Sequence, residues 1–290
     1  MKNIVFSILH YQAFEMTCEC VEALMCLETE QDVKISIVIV DNNSPNESGQ
    51  ALKEKYASTE NIYVIEAHSN LGFAKGNNLG YDYAKHNLNP TLIVVINNDV
   101  IIDQCDFLDV LICKTGKTDV LAPDIVNLHG IHQNPMRQEP MSDKEINLLL
   151  LYGTINKAIM RVPVVSRIFL SIIKLVRNKK NEEKNESWKS EQSDIVPHGS
   201  AVVFCEKYIA NEDNAFIPDT FMFCEEDILY DYLKEKGYKI LYTPTLRVTH
   251  YEDVSTDISL KNEIEKRIFM FSHKVDSLGV LKHRRMETKP

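Results

Sequence analysis

An apolar, β-branched run that ends on an acid constrains a chain more than its overall composition does, and this sequence carries the pattern twice. Ile37-Val38-Ile39-Val40 runs into Asp41-Asn42-Asn43-Ser44-Pro45, and Ile93-Val94-Val95-Ile96 runs into Asn97-Asn98-Asp99. Short continuous apolar runs bounded by turn formers read as buried strands of a sheet covered by helices. In open sheets of that kind, ligands bind beyond the carboxyl ends of the strands, near the point where strand order reverses, and both aspartates stand at such ends.

The surrounding rhythm agrees. Strands are expected at Ile4 to Leu9, Ile35 to Val40, Ile62 to Ile65, Leu92 to Ile96 and Val120 to Ala122, with helices at Ala13 to Cys26, Ser48 to Tyr56 and Phe73 to Lys85. This alternation predicts an α/β fold with a mostly parallel sheet over residues 1–125. Across residues 134–194 the rhythm breaks into two candidate helices and a polar run, Asn178 to Ser193, read as an inserted segment ending in a mobile loop. Strands resume at Ala201 to Phe204. A helix from Glu225 to Lys236, closed by Gly237, strands at Tyr238 to Tyr242 and Leu246 to Thr249, and a last helix from Ile258 to about Val275 complete residues 195–290.

With 290 residues, 44% of them hydrophobic, the chain can bury one large core and carry an appendage. A formal net charge of -10 argues against a general nucleic-acid binder, whose footprint is basic. The seven cysteines include no Cys-x-x-Cys pair, so free thiols in a reducing, cytoplasmic setting are expected. The apolar run Ile4 to Leu9 is too short for a secretion signal and reads as the first strand.

Asp41 has two readings: a cap for the turn that follows it, or a carboxylate that accepts hydrogen bonds from a ribose or a base. Gly72, Gly76 and Gly80 recur four apart and share one face of a helix, where each costs about 1 kcal/mol against alanine, so close packing on a sheet or close approach of a ligand must compensate. Asn97-Asn98-Asp99 offers one anion and two amides, a set suited to Mg²⁺ already carrying phosphate oxygens. Glu225-Glu226-Asp227 opens a helix, where acids stabilise the N-terminus, yet their apolar flank Phe221-Met222-Phe223-Cys224 would raise a carboxylate's proton affinity and suit a general base. His250, after a strand, reads as structural or as a ligand. In Val164 to Arg177, apolar residues share one helical face and Arg167 and Lys174 the other, which fits either a core-packed helix or one lying on an anionic membrane surface.

In their order along the chain, Ser7-Ile8-Leu9-His10-Tyr11, Val40-Asp41-Asn42-Asn43-Ser44, Asn70-Leu71-Gly72-Phe73-Ala74-Lys75-Gly76-Asn77-Asn78, Ile96-Asn97-Asn98-Asp99, Gly199-Ser200-Ala201, Glu225-Glu226-Asp227 and His250 resemble the family 2 glycosyltransferases, whose fold is called GT-A. The resemblance implies an inverting transfer of a sugar from a nucleoside-diphosphate sugar to a hydroxyl of a glycan acceptor, lipid-linked at the inner membrane surface, in cell-surface polysaccharide assembly. It implies nucleotide contacts from Asp41, Asn43, Asn70, Gly72, Lys75 and Asn98, and Mg²⁺ or Mn²⁺ held by Asp99 and His250. Asn97 replaces the first acid of the family's D-x-D motif. Gly199, Ser200 and Glu225 would border the acceptor. The usual Glu-Asp-x-Asp-Leu is here Glu225-Glu226-Asp227-Ile228-Leu229. Counting back from Gly237 makes Glu226 the base, and a slip of one residue makes it Asp227. A non-catalytic nucleotide-sugar binder of the same fold is the competing reading. A nucleotidyltransferase is disfavoured by the lack of a basic glycine-rich loop near the N-terminus.

Overall fold

The computed structural model describes residues 2–160, 186–252 and 263–288. The first half alternates strands and helices as the sequence pattern predicts: β1 (Lys2–His10), α1 (Phe14–Met25), β2 (Val33–Asp41), α2 (Ser48–Tyr56), β3 (Ile62–Glu66), α3 (Gly72–Asn87) and β4 (Leu92–Asn97). There follow β5 (Val100–Ile101), α4 (Phe107–Thr115), β6 (Val120–Asn127) and α5 (Asp143–Met160). The remainder comprises β7 (Gln192–Ser193), β8 (Ala201–Cys205), α6 (Glu206–Asn211), α7 (Glu225–Lys236), β9 (Ile240–His250) and α8 (Glu263–Glu287).

One sheet of order β3-β2-β1-β4-β8-β6-β9-β5, with β7 paired to β9, runs through the molecule. From β3 to β4 every pairing is parallel, as expected. Beyond β4 the sheet is mixed: β8 is antiparallel to both β4 and β6, while β6 and β9 are parallel. Alternation along the strands separates two cores. Ile4, Phe6 and Ile8 face α1, α2 and α4, whereas Val5, Val38 and Val40 face α3, α6 and α7. A smaller third core joins Ile146 of α5, Ile228 of α7 and Leu278 and Leu281 of α8.

The structure departs from the sequence reading in a few places. The two strands expected across residues 238–249 are one strand, β9, whose register jumps so that Pro123 pairs with Thr243 but Asp124 with Arg247. Pro244 sits inside that jump, where it has no N–H to give the ladder. Helices α4 and α6 were not foreseen, and α8 continues to Glu287. Of the inserted segment, α5 forms, and residues 186–193 hold a short turn, Ser187–Lys189, and β7 paired to β9 rather than a loose loop. The segment Val164 to Arg177 lies outside the described residues. Among the described residues, no helix is long and apolar enough to cross a membrane. All seven cysteines are free.

Candidate active site

The register places the site. β1 pairs with β2 so that His10 lies beside Asp41, and with β4 so that Leu9 lies beside Asn97. Strand order reverses at β1, since β2 and β3 extend the sheet to one side and β4 to the other. The carboxyl ends of β1, β2 and β4 therefore open onto one cleft of about 700 Å³. Antiparallel pairing of β5 with β9 sets Val100 opposite His250, which carries the histidine back to Asp99, and the Tyr251 N–H donates to the Asp99 carbonyl at 2.9 Å.

At the corner beyond β4, His250 Nε2 lies 3.3 Å from Asp99 Oδ1. Asp99 is 6% exposed, and that oxygen is buried with no hydrogen-bond donor. A buried carboxylate oxygen facing a second ligand atom in a cleft fits a divalent cation, and two protein donors suit an ion that completes its shell with phosphate oxygens and water. Among the described residues, no cluster of three or more His, Cys, Asp or Glu could hold a metal without such help. His198 stands beside His250, ring centroids 5.6 Å apart, and accepts the Ser200 N–H on Nδ1 at 3.2 Å. Burial, and then the neighbouring His250, pull its pKa down to about 4.

At the corner below β2, Asp41 is buried and accepts the Ser44 N–H on its carboxylate at 3.2 and 3.3 Å, so it does cap the turn. Burial raises its pKa and the Ser44 bonds oppose the rise. The side chain that reaches the cleft is Asn42. It donates to Asn70 Oδ1 and to the Gly72 carbonyl, both at 3.1 Å, and accepts the Leu71 N–H at 2.9 Å, pinning the entry to α3. Asn70, Gly72 and Asn98 line the cleft, whereas Asn43 and Lys75 are exposed outside its lining. His10 underlies both corners: its ring meets Thr17 Oγ1 at 2.7 Å and Ser48 Oγ at 2.8 Å, and Asn98 donates to the same Thr17 oxygen at 3.0 Å. Burial holds His10 neutral, with its pKa lowered to about 4.

The glycines answer to different neighbours. A Cβ on Gly80 would meet Ser7 Oγ at 2.0 Å, and one on Gly76 would meet Leu9 at 2.7 Å, which is helix-on-sheet packing. Gly72 instead has φ +76° and lies against the Phe221 carbonyl, which accepts the Phe73 N–H at 2.7 Å. That contact draws Phe221, Met222 and Phe223 onto the cleft rim, where Phe269 of α8 joins them. Phe223 and Cys224 are both left-handed, φ 75° and 64°, and turn the chain sharply into α7.

The three acids of α7 have separate surroundings. Glu225 is buried and accepts the Thr220 hydroxyl at 2.9 Å. Asp227 is buried and paired with Arg137. Glu226 is half-buried behind Gly199, whose N–H it accepts; a Cβ there would lie 2.9 Å from Glu226 Oε1 and 3.2 Å from Phe73. Burial raises the proton affinity of all three; the neighbouring Glu226 adds to the rise at Glu225, Asp227 adds to it at Glu226, and Arg137 offsets it at Asp227. None of the three lines the cleft directly: Glu226 reaches its wall at Phe73 and His198 through Gly199.

Sequence reasoning did not single out Asn42, His10, Gln133, Arg137, His198, Phe221 or Phe269 as site residues. Asn42 and His10 fell inside quoted motifs, and His198 adjoins Gly199. Gln133, Arg137 and Phe269 come from segments whose position depends on the tertiary fold.

Comparison with known proteins agrees with this architecture. The glycosyl transferase family 2 model matches residues 8–122. Among curated proteins, the low-salt glycan biosynthesis hexosyltransferase Agl10 of Haloferax volcanii is 28% identical over 123 residues, 39% of this chain and 38% of its own length. Among solved structures, S. aureus TarS 1-349 superposes with a TM-score of 0.53 at 15% identity, over 93% of this chain and 65% of that one. The same fragment in complex with UDP gives 0.52 at 16% identity over the same shares. The chain thus spans under two thirds of these relatives' lengths. Residues 8–122 of this chain match the glycosyl transferase family 2 model, and the chain has a GT-A fold.

Proposed function

We propose that the protein is an inverting, metal-assisted glycosyltransferase that moves a sugar from a nucleoside-diphosphate sugar to a hydroxyl of a glycan acceptor. The observation that carries the reading is the buried, donorless Asp99 oxygen facing His250 in the cleft where strand order reverses. The TarS fragment has been solved with UDP and with UDP-GlcNAc, which supports a nucleotide sugar as donor.

In this reading residues 1–125 supply the donor side and residues 195–290 the acceptor side. Asn42, Asn70, Gly72 and Asn98 cradle the nucleotide, with Asp41 ordering the turn beneath it. Asp99 and His250 would hold Mg²⁺ or Mn²⁺, which when bound offsets charge on the diphosphate as it leaves. Glu226 is the base: its raised proton affinity suits removal of a hydroxyl proton, while Asp227 is engaged by Arg137. Attack of that hydroxyl on the anomeric carbon in a single displacement inverts the centre. Gly199, Ser200 and Glu225 shape the acceptor side.

A lipid-linked acceptor in surface-polysaccharide assembly is supported by one exposed face. Leu148, Leu151, Tyr152 and Ile155 lie at helical spacing on α5 and are 49% to 65% exposed. The sequence beyond α5 is basic, with Arg161, Arg167, Lys174, Arg177, Lys179 and Lys180. An apolar stripe beside cationic sequence suits an anionic membrane surface on the cytoplasmic side.

The deciding experiment is thermal stabilisation by UDP, dTDP, GDP and their sugar conjugates with and without Mn²⁺, where ligand at about 100 times its dissociation constant adds about 2.7 kcal/mol. A Mn²⁺-dependent shift with one base, followed by transfer to a glycan, supports the reading. Binding without turnover over a broad acceptor panel points to a non-catalytic nucleotide-sugar binder, and no shift with any nucleotide overturns it.

A further inference from the structure

We infer that Gln133, held by Glu252, fixes which nitrogen of His250 carries the proton and keeps Nε2 bare toward Asp99. The importance of this device rests on the reading that Asp99 and His250 hold a divalent cation, and it adds two positioning residues to that pair.

The direction of each bond follows from the one before, starting at the backbone. Asn127 Oδ1 accepts the N–H groups of His129 and Ile131, each at 3.0 Å, so its amide nitrogen faces the other way. That nitrogen donates to Glu252 Oε2 at 3.1 Å. The second Glu252 oxygen accepts from Gln133 Nε2. With its amino group so engaged, Gln133 presents Oε1 to His250 Nδ1, 2.8 Å away. A carboxamide oxygen only accepts, so Nδ1 carries the hydrogen and, in the neutral ring, Nε2 is a lone pair.

That lone pair lies 3.3 Å from an Asp99 oxygen that has no donor of its own. Two acceptors so placed converge on a cation. Had the ring carried its hydrogen on Nε2, it would have donated to Asp99 and closed the site. Glu252 and Gln133 also line the cleft, so the chain of bonds ends in the site it serves. Glu252 holds its place with φ 61°, a conformation costly for a non-glycine residue and tolerated where surrounding structure imposes it.

Partners that orient a ligating histidine are worth about 10–100-fold in metal affinity, which sets the expected effect. The protein is labelled with ¹⁵N in its histidine rings and examined at pH about 8.5, above the ordinary imidazole range, where long-range ¹H–¹⁵N spectra distinguish the two tautomers. His250 is assigned by loss of its signal in His250→Gln. The wild-type ring is expected to show a protonated Nδ1 and a bare Nε2. Gln133→Leu is expected to move the hydrogen to Nε2 and to weaken Mn²⁺ binding, measured by electron paramagnetic resonance with UDP present, by about 10–100-fold. Glu252→Gln keeps the shape but frees Gln133 to turn, and falls between.

A wild-type His250 protonated on Nε2, or a folded Gln133→Leu protein with an unchanged tautomer, overturns the inference. A wild-type protein with the expected tautomer that takes up no Mn²⁺ overturns the cation reading instead and leaves the proton placement standing.

Discussion

Arg137 donates to Asp227 in the first turn of α7, and this pairing separates three adjacent acids by what each can do. Asp227 is 2% exposed and spends one oxygen on the guanidinium, while Glu226, one residue earlier, turns to the Gly199 amide at the cleft wall. Glu226→Gln is expected to lower transfer by at least about 100-fold, the usual contribution of a general base, and to leave donor affinity within a factor of two. Asp227→Asn is expected to act on stability, losing roughly 1–3 kcal/mol in chemical denaturation by weakening a buried pair. Full transfer activity in Glu226→Gln would move the base elsewhere.

Asp99→Asn removes the charge that the donorless oxygen supplies while keeping the side chain's shape. Because an amide can donate to His250 Nε2, the variant should fold at least as stably as the wild type. Its Mn²⁺-dependent thermal shift with the nucleotide should disappear, leaving only the shift the nucleotide gives without metal. Retention of the Mn²⁺-dependent part would place the cation on other groups.

What the sequence revealed and what it hid divide along contact distance. The strands at 35–40, 62–65 and 92–96 were legible because β-branched runs between turn residues have few other uses, and Ser48–Tyr56 and Glu225–Lys236 matched to the residue. The end of the buried strand at Asp99 pointed to the cleft because every parallel sheet of this kind opens there. A turn cap at Asp41 follows from the turn formers after it, but that Asn42 reaches the cleft in its place depends on the rotation of the turn. Gln133, Arg137 and Phe269 were invisible because they arrive from α5-side loops and from α8, across sequence separations that no local period encodes. The asymmetry between Glu226 and Asp227 was hidden for the same reason, since it is set by the distant Arg137 at Asp227 and Gly199 at Glu226.

Gly72 is the position where backbone conformation and close approach coincide. A Cβ there would stand 2.1 Å from the Phe221 carbonyl oxygen, and φ +76° already disfavours any side chain. Gly72→Ala is expected to cost more than about 2 kcal/mol and to weaken nucleotide binding, because the Phe73 N–H can no longer hold the Phe221 segment of the rim. Gly116→Ala is the control: φ is -68° there and nothing lies within 4 Å of the added carbon, so stability should change by less than about 0.5 kcal/mol. Equal denaturation midpoints for the two variants would refute the close contact.

His10 joins the two corners of the site while uncharged, and its pKa of about 4 against an ordinary 6.5 gives the pH dependence of that role. Between those values the unfolded chain binds a proton that the folded protein refuses, so stability contributed by His10 is present above pH 6.5 and is lost as pH falls toward 4. The raised carboxylates of α7 act in the opposite sense over the same range, so the wild-type profile alone is ambiguous. Comparison with His10→Asn isolates the contribution of the imidazole. The variant is less stable at pH 7, and the gap should narrow by up to about 2 kcal/mol by pH 5, since only the wild type loses a buried neutral imidazole. Urea titrations of both proteins at half-unit pH intervals measure the gap directly. A gap that stays constant or widens toward acid would mean that the folded protein takes up the His10 proton at least as readily as the unfolded chain, and that His10 is not held neutral by burial.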